Sequence, residues 1–131
     1  MGQCYSVTLK IKVNDEQGAI RALKEKIEND KDHVQYNVED FKKEGVNTDS
    51  LAGLIRVFLA GWKGNNFEIK SQRGFTCFSN DFDACYGWES VMLEMFEALA
   101  PYLANLSWIK VWPDSGLDYG IIRDHKVDWK S

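Results

Sequence analysis

Apolar and polar residues alternate from near the start of the chain: Tyr5, Val7, Leu9, Ile11 and Val13 fall at period two, with Ser6, Thr8, Lys10 and Lys12 between them. That period predicts a strand over residues 5–13 with one buried and one solvated face. The pattern then changes to helical spacing through Ala19, Ile20, Leu23 and Ile27, and Asn14 followed three residues later by Gln17 has the form of a capping box. Val34, Tyr36 and Val38 fit a short strand, but the polar run after them fits a helical turn equally well.

A second amphipathic helix is predicted from Leu51, Leu54, Ile55, Phe58 and Leu59, with Asn47 or Thr48 as its cap and Gly61 in the left-handed position past its end. Phe67 and Ile69 on one side of Gln72-Arg73-Gly74, and Phe75 and Cys77 on the other, predict a hairpin. Trp88, Met92, Met95, Phe96, Leu99 and Leu103 share one face of a third helix, with Glu89, Glu94 and Glu97 turned away, and Pro101 should end it near residue 100. A last hairpin is expected from strands at 107–112 and 118–123, joined through Pro113, Asp114, Ser115 and Gly116. The order β-α-(β)-α-β-β-α-β-β is rich in hairpins and lacks regular strand-helix alternation. It predicts an α+β two-layer sandwich, a mainly antiparallel sheet with about three helices on one face, as a single domain over residues 1–131.

The first six residues, MGQCYS, allow a competing reading. They match an acylation pattern with Gly2 as the acylated residue, Ser6 in the last slot and Cys4 as a second acylation site. A myristoyl chain alone binds membranes marginally, and Lys10 and Lys12 make a thin basic patch, so the strand is preferred.

With 131 residues the chain has one domain's worth of core, and no stretch approaches the roughly 18 apolar residues of a membrane span. Nor does the beginning read as a signal peptide. Cys4, Cys77 and Cys85 are odd in number, which suits reduced thiols in a cytoplasmic protein. The net charge of −4 argues against bulk electrostatic binding to nucleic acid or anionic membrane. Residues 1–70 carry 11 basic and 11 acidic side chains and residues 71–131 carry 5 and 9, so any acidic patch belongs to the second half.

Candidate chemistry is sparse. Cys77, Asn80, Asp81, Asp83 and Cys85 stand close together, yet they lack the glycine and the distal glutamate of a calcium loop and the C-x-x-C spacing of a zinc site. A polar loop with Asp83 among the candidates to cap the third helix is the preferred reading, and no metal or cofactor is expected. Cys85 near that helix would have a lowered pKa as a nucleophile, but His33 and His125, the available bases, cannot be placed beside it from sequence. Asp81 with Asp83, and Glu94 with Glu97, are carboxylate pairs open to acid-base chemistry. No nucleophile elbow, phosphate loop, dinucleotide fingerprint or zinc-protease motif occurs.

Five tryptophans are the unusual feature. In SWIKVW the alternation puts Trp108, Lys110 and Trp112 on one face and Ile109 and Val111 on the other. If Ile109 and Val111 pack inward, an aromatic and basic face lies open, with Lys10, Lys12 and Arg123 for company; otherwise both tryptophans belong to the core. Such a face suits single-stranded nucleic acid by stacking, or a protein partner by tryptophan anchoring.

The expectation is therefore a non-catalytic binding protein that engages a protein partner through Trp108, Lys110 and Trp112, or through an acidic surface of Asp81, Asp83, Glu89, Glu94 and Glu97. A phage or mobile-element accessory is one concrete version, for instance an anti-CRISPR-like inhibitor of host nucleic-acid machinery whose carboxylates stand in for phosphates. Single-strand binding on the sheet, and a small enzymatic or ligand site near Cys77 and Cys85, are the alternatives. No membrane association is expected, and exposed tryptophans would suit a homodimer.

Overall fold

A computed structural model describes residues 2–114 and 116–130. Six strands form one antiparallel sheet: β1 (Gly2–Ile11), β2 (Glu68–Gln72), β3 (Phe75–Cys85), β4 (Trp108–Trp112), β5 (Asp118–Arg123) and β6 (Lys126–Lys130), in the order β2-β3-β1-β4-β5-β6. Four helices, α1 (Glu16–Asp30), α2 (Val38–Lys43), α3 (Leu51–Phe58) and α4 (Trp88–Leu99), supply the other layer, and a 3-10 turn (Ala100–Tyr102) follows α4 where Pro101 interrupts it. The fold is the α+β sandwich read from the pattern.

Tyr5, Val7, Leu9 and Ile11 of β1 are buried with Phe78, Phe82, Ile109, Val111 and Ile122 of its neighbours, against Leu23, Ile55, Phe58, Met92, Met95, Phe96 and Leu99 from the helices. Each large apolar side chain so covered contributes about 1.5–3 kcal/mol. No helix among the described residues is long and apolar enough to cross a membrane. Gly2, Cys4 and Ser6 of the acylation pattern lie in the ladder, opposite Cys85, Asp83 and Asp81 of β3.

Several local expectations are corrected by tertiary contacts. Asp15, not Asn14, caps α1: from extended backbone (φ −140, ψ 94) its side chain accepts from Gly18 N, while the main chain of Asn14 donates to Tyr102 O at 2.8 Å. Ser50, not Asn47 or Thr48, caps α3: its Oγ accepts from Gly53 N at 3.0 Å and donates to Asn47 O at 2.8 Å. Past α3 the left-handed residue is Ala60 (φ 52), while Gly61 is needed for space, since a Cβ there would meet Arg56 Cγ at 2.7 Å and Phe67 Cδ1 at 2.8 Å.

Residues 34–36 form no strand; Asn37 in the left-handed region (φ 60) opens α2, whose Phe41 stacks on Trp62 with ring centroids 3.6 Å apart. β6 was not foreseen: its turn is Asp124-His125, both at positive φ without a glycine, and its sequence is mostly charged. Its Trp129 packs over Gly120, where a Cβ would come within 2.5 Å of the indole. Ser115, in the expected turn before β5, lies outside the described residues.

The stretch expected as a polar loop is strand as far as Cys85, since its alternation fits the sheet: Phe78, Asn80 and Phe82 are buried, while Asp81 and Asp83 face outward. Asn80 is tolerated inside because its Nδ2 donates to Leu59 O and Ala60 O at 2.8 and 3.1 Å, satisfying carbonyls past the end of α3. Asp83 does not cap α4; Gly87, at φ 93, holds that position.

Candidate binding surface

Ile109 and Val111 are fully buried, so the other face of β4 points away from the helices. Trp112 stands there 38% exposed, with Trp108 and Lys110 half-buried beside it. Register places Lys10 of β1 beside Trp108, Thr8 beside Lys110 and Ser6 beside Trp112; on the far side, Tyr119 pairs with Lys110 and Ile121 with Trp108. The center of this face is therefore a row of aromatic rings and one isoleucine around Lys110, with Lys10, Thr8 and Ser6 of β1 along its side.

Lys110 Nζ lies 5.0 Å from the Trp108 ring centroid and 5.1 Å from that of Tyr119, so two rings already carry a cation. Lys10 Nζ lies 5.5 Å from the Phe75 ring. Around this center the charges are only partly compensated: Arg123 and Lys130 share one carboxylate, Asp128, and Lys70 contacts Glu68, while among the described residues Lys10 and Lys110 make no ion pair. Lys12 falls beyond the end of β1.

The acidic residues read together from the sequence are divided between the two layers. Asp81 and Asp83 belong to the open sheet face, where Asp81 accepts from Ser6 Oγ at 2.6 Å and Asp83 from Cys4 Sγ at 2.9 Å. Glu89, Glu94 and Glu97 lie on α4 in the helical layer. Glu94 is bound to Lys26 at 2.6 Å, and Lys26 also holds Asp30 at 2.7 Å; Glu89 accepts from Gln3 Nε2 at 3.4 Å. The negative partner that sequence reasoning missed is Asp114, which joins Asp81 and Asp83 at a concavity of about 640 Å³ beside Trp112.

The hydrogen bond to the Asp83 carboxylate holds the Cys4 thiol above its usual pKa, since a neighboring negative charge disfavors the thiolate. Cys77 and Cys85 stand eight positions apart along one strand, roughly 27 Å at about 3.4 Å per residue, so one small site cannot hold both thiols. Cys85 and His33 do line one concavity of about 430 Å³, but no hydrogen bond joins them, and His125 sits in the β5–β6 turn at the other edge of the sheet. All three cysteines are free thiols, and among the described residues no group of three or more His, Cys, Asp or Glu is placed to hold a metal ion.

No known family, curated protein or solved structure matches the chain.

Proposed function

We propose that this is a non-catalytic binding protein that docks a protein partner on the uncovered face of its sheet, centered on Trp108, Lys110 and Trp112. The observation that carries the reading is the uncovered aromatic row, Trp112 and Trp108 with Tyr119 across from Lys110, on a face that no helix covers. A rigid strand presents these rings at little entropic cost, and buried tryptophans surrounded by near-neutral contacts are the usual anchors of protein interfaces. Lys110 already lies over the Trp108 and Tyr119 rings, which leaves less ring face for nucleobases and favors this reading over single-strand stacking.

Within the same reading, Asp81, Asp83 and Asp114 at one end of the face suit a basic partner surface, as in a mobile-element protein that blocks host nucleic-acid machinery by presenting carboxylates where phosphates would bind. Free thiols fit action in the cytoplasm. The test is affinity capture of the tagged chain from its source cells, with and without nuclease, in parallel with Trp112→Ala and Lys110→Glu. A protein that survives nuclease and is lost from both variants supports the proposal. Co-purification that vanishes with nuclease, or that ignores both variants, overturns it.

A further inference from the structure

β3 is more than twice as long as the strand that covers its outer side: β2 pairs only with Phe75 to Ser79, whereas β3 runs on to Cys85 along β1. The turn between β2 and β3 is the two-residue Arg73-Gly74, both at positive φ, which makes Gln72 and Phe75 a hydrogen-bonded pair. From there hydrogen-bonded pairs alternate along the ladder. The main-chain groups of Phe75, Cys77 and Ser79 therefore point toward β2, and those of Asp81 and Asp83 point the same way beyond its end. Phe82 and Ala84 point theirs at β1. Among the described residues, no main-chain group of Asp81 or Asp83 has a partner outside the strand ladders.

This free edge runs between two concavities of opposite character. On the helical side, Tyr36, Trp62, Trp88, Val34 and Val91 wall the 430 Å³ space, and the inward-facing Ala84 is small enough to leave its floor open. On the open side, Asp81, Asp83, Asp114 and Trp112 line the 640 Å³ space with no basic residue among its walls, and Gly64, Asn65 and Asn66 of the loop that leads into β2 flank it, a segment the added strand must displace or run beside. Asp83 borders both.

We infer that the edge of β3 from Asp81 to Cys85 is a strand-addition site for an extended peptide in which basic and apolar side chains alternate. An added strand would satisfy the main-chain groups of Asp81 and Asp83. Side chains opposite these two residues project onto the open face, where their carboxylates select lysine or arginine and Trp112 offers a ring for the cation. The residue opposite Ala84 projects to the other side and fills the aromatic space. Backbone polarity, the period of two and the charge all specify the same ligand. The site shares Asp81, Asp83 and Trp112 with the proposed docking face and to that extent rests on that reading, but its main-chain test at the β3 edge is separate from the Trp112 and Lys110 variants that test the face.

Amide exchange by NMR on the free protein comes first: Asp81 and Asp83 should exchange fast while Phe82 and Ala84 are protected. Protection of Asp81 and Asp83 in the free chain, including protection that grows with concentration as a second copy covers the edge, overturns the inference. The probe is then a fluorescein-labeled peptide of alternating arginine and valine, about nine residues long and thus within the usual span of a strand. Saturable binding should slow exchange at Asp81 and Asp83. It should weaken about tenfold or more with a probe N-methylated at every second residue, with glutamate in place of arginine, and in the Asp81→Lys/Asp83→Lys protein. Ala84→Leu, which blocks the aromatic floor while keeping the charges, gives an independent loss. Absence of binding at millimolar probe, or equal binding of the N-methylated probe, refutes strand addition.

Discussion

Replacing Tyr5 with phenylalanine removes one oxygen and keeps the ring that stacks on Phe82. That oxygen donates to Cys85 O at 3.0 Å and accepts from Trp88 N at 3.2 Å and Gln3 Nε2 at 2.8 Å, so it ties the end of β3 to the first residue of α4. Gly87 offers α4 no side-chain cap, and the tyrosine stands in for one. Tyr5 is 2% exposed, so water cannot replace its hydroxyl without disturbing the packing. A net hydrogen bond is worth about 0.5–1.5 kcal/mol and a buried group left without a partner costs about 1–3 kcal/mol, so Tyr5→Phe should destabilize by roughly 2–3 kcal/mol. At about 2.1 cal/mol/K per residue, the unfolding entropy of the 131-residue chain is about 0.28 kcal/mol/K, and Tm should fall by roughly 7–11 °C. Calorimetry measures this, with Tyr86→Phe at a 61% exposed site as the control expected to stay within about 0.5 kcal/mol. Equal Tm values for Tyr5→Phe and the wild type, or unchanged amide exchange at Trp88, would refute the claim that this hydroxyl caps α4.

The two faces of β4 should respond in opposite ways: Ile109→Ala, fully buried, should cost about 2–5 kcal/mol in chemical denaturation, whereas Trp112→Ala should change stability by less than about 1 kcal/mol. Gly53→Ala should cost about 3 kcal/mol or more, because its Cβ would lie 1.8 Å from Asn47 O, a main-chain atom held by the turn that Ser50 caps; a stable Gly53→Ala protein by thermal melt would contradict that packing. Burial first, then the Asp30 charge, raises the Tyr36 phenol well above the usual range. A raised pKa means the stabilization is full below the unfolded value of about 10 and is lost as pH rises beyond it. Alkaline unfolding followed together by tyrosinate absorbance and circular dichroism should therefore show the last phenol ionizing with the loss of structure, and ionization of all five tyrosines in a folded chain would oppose it.

Periodicity alone determined a good deal of this protein. Tyr5 to Ile11, Ile109 with Val111, and the Trp88, Met92, Met95, Phe96 stripe lie inward as their spacing requires, because burying one side of a strand or helix leaves no other orientation. The same alternation put Trp108, Lys110 and Trp112 on one side of their strand, but whether that side was open or core was decided only by the placement of the helices. Caps were less legible: Asn14 and Asp15 are equally good cap residues, and the helix start at Glu16 that makes Asp15 the cap goes with a tertiary main-chain bond from Asn14 to Tyr102, 88 positions away. β6 escaped notice because a strand needs no apolar alternation once its neighbor supplies the ladder and one tryptophan covers Gly120. The division of the acidic residues between layers, the meeting of Asp114 with Asp81 and Asp83, and the uncovered edge of β3 have no local signature. They follow from strand order and from the unequal lengths of β2 and β3, which no window of sequence contains.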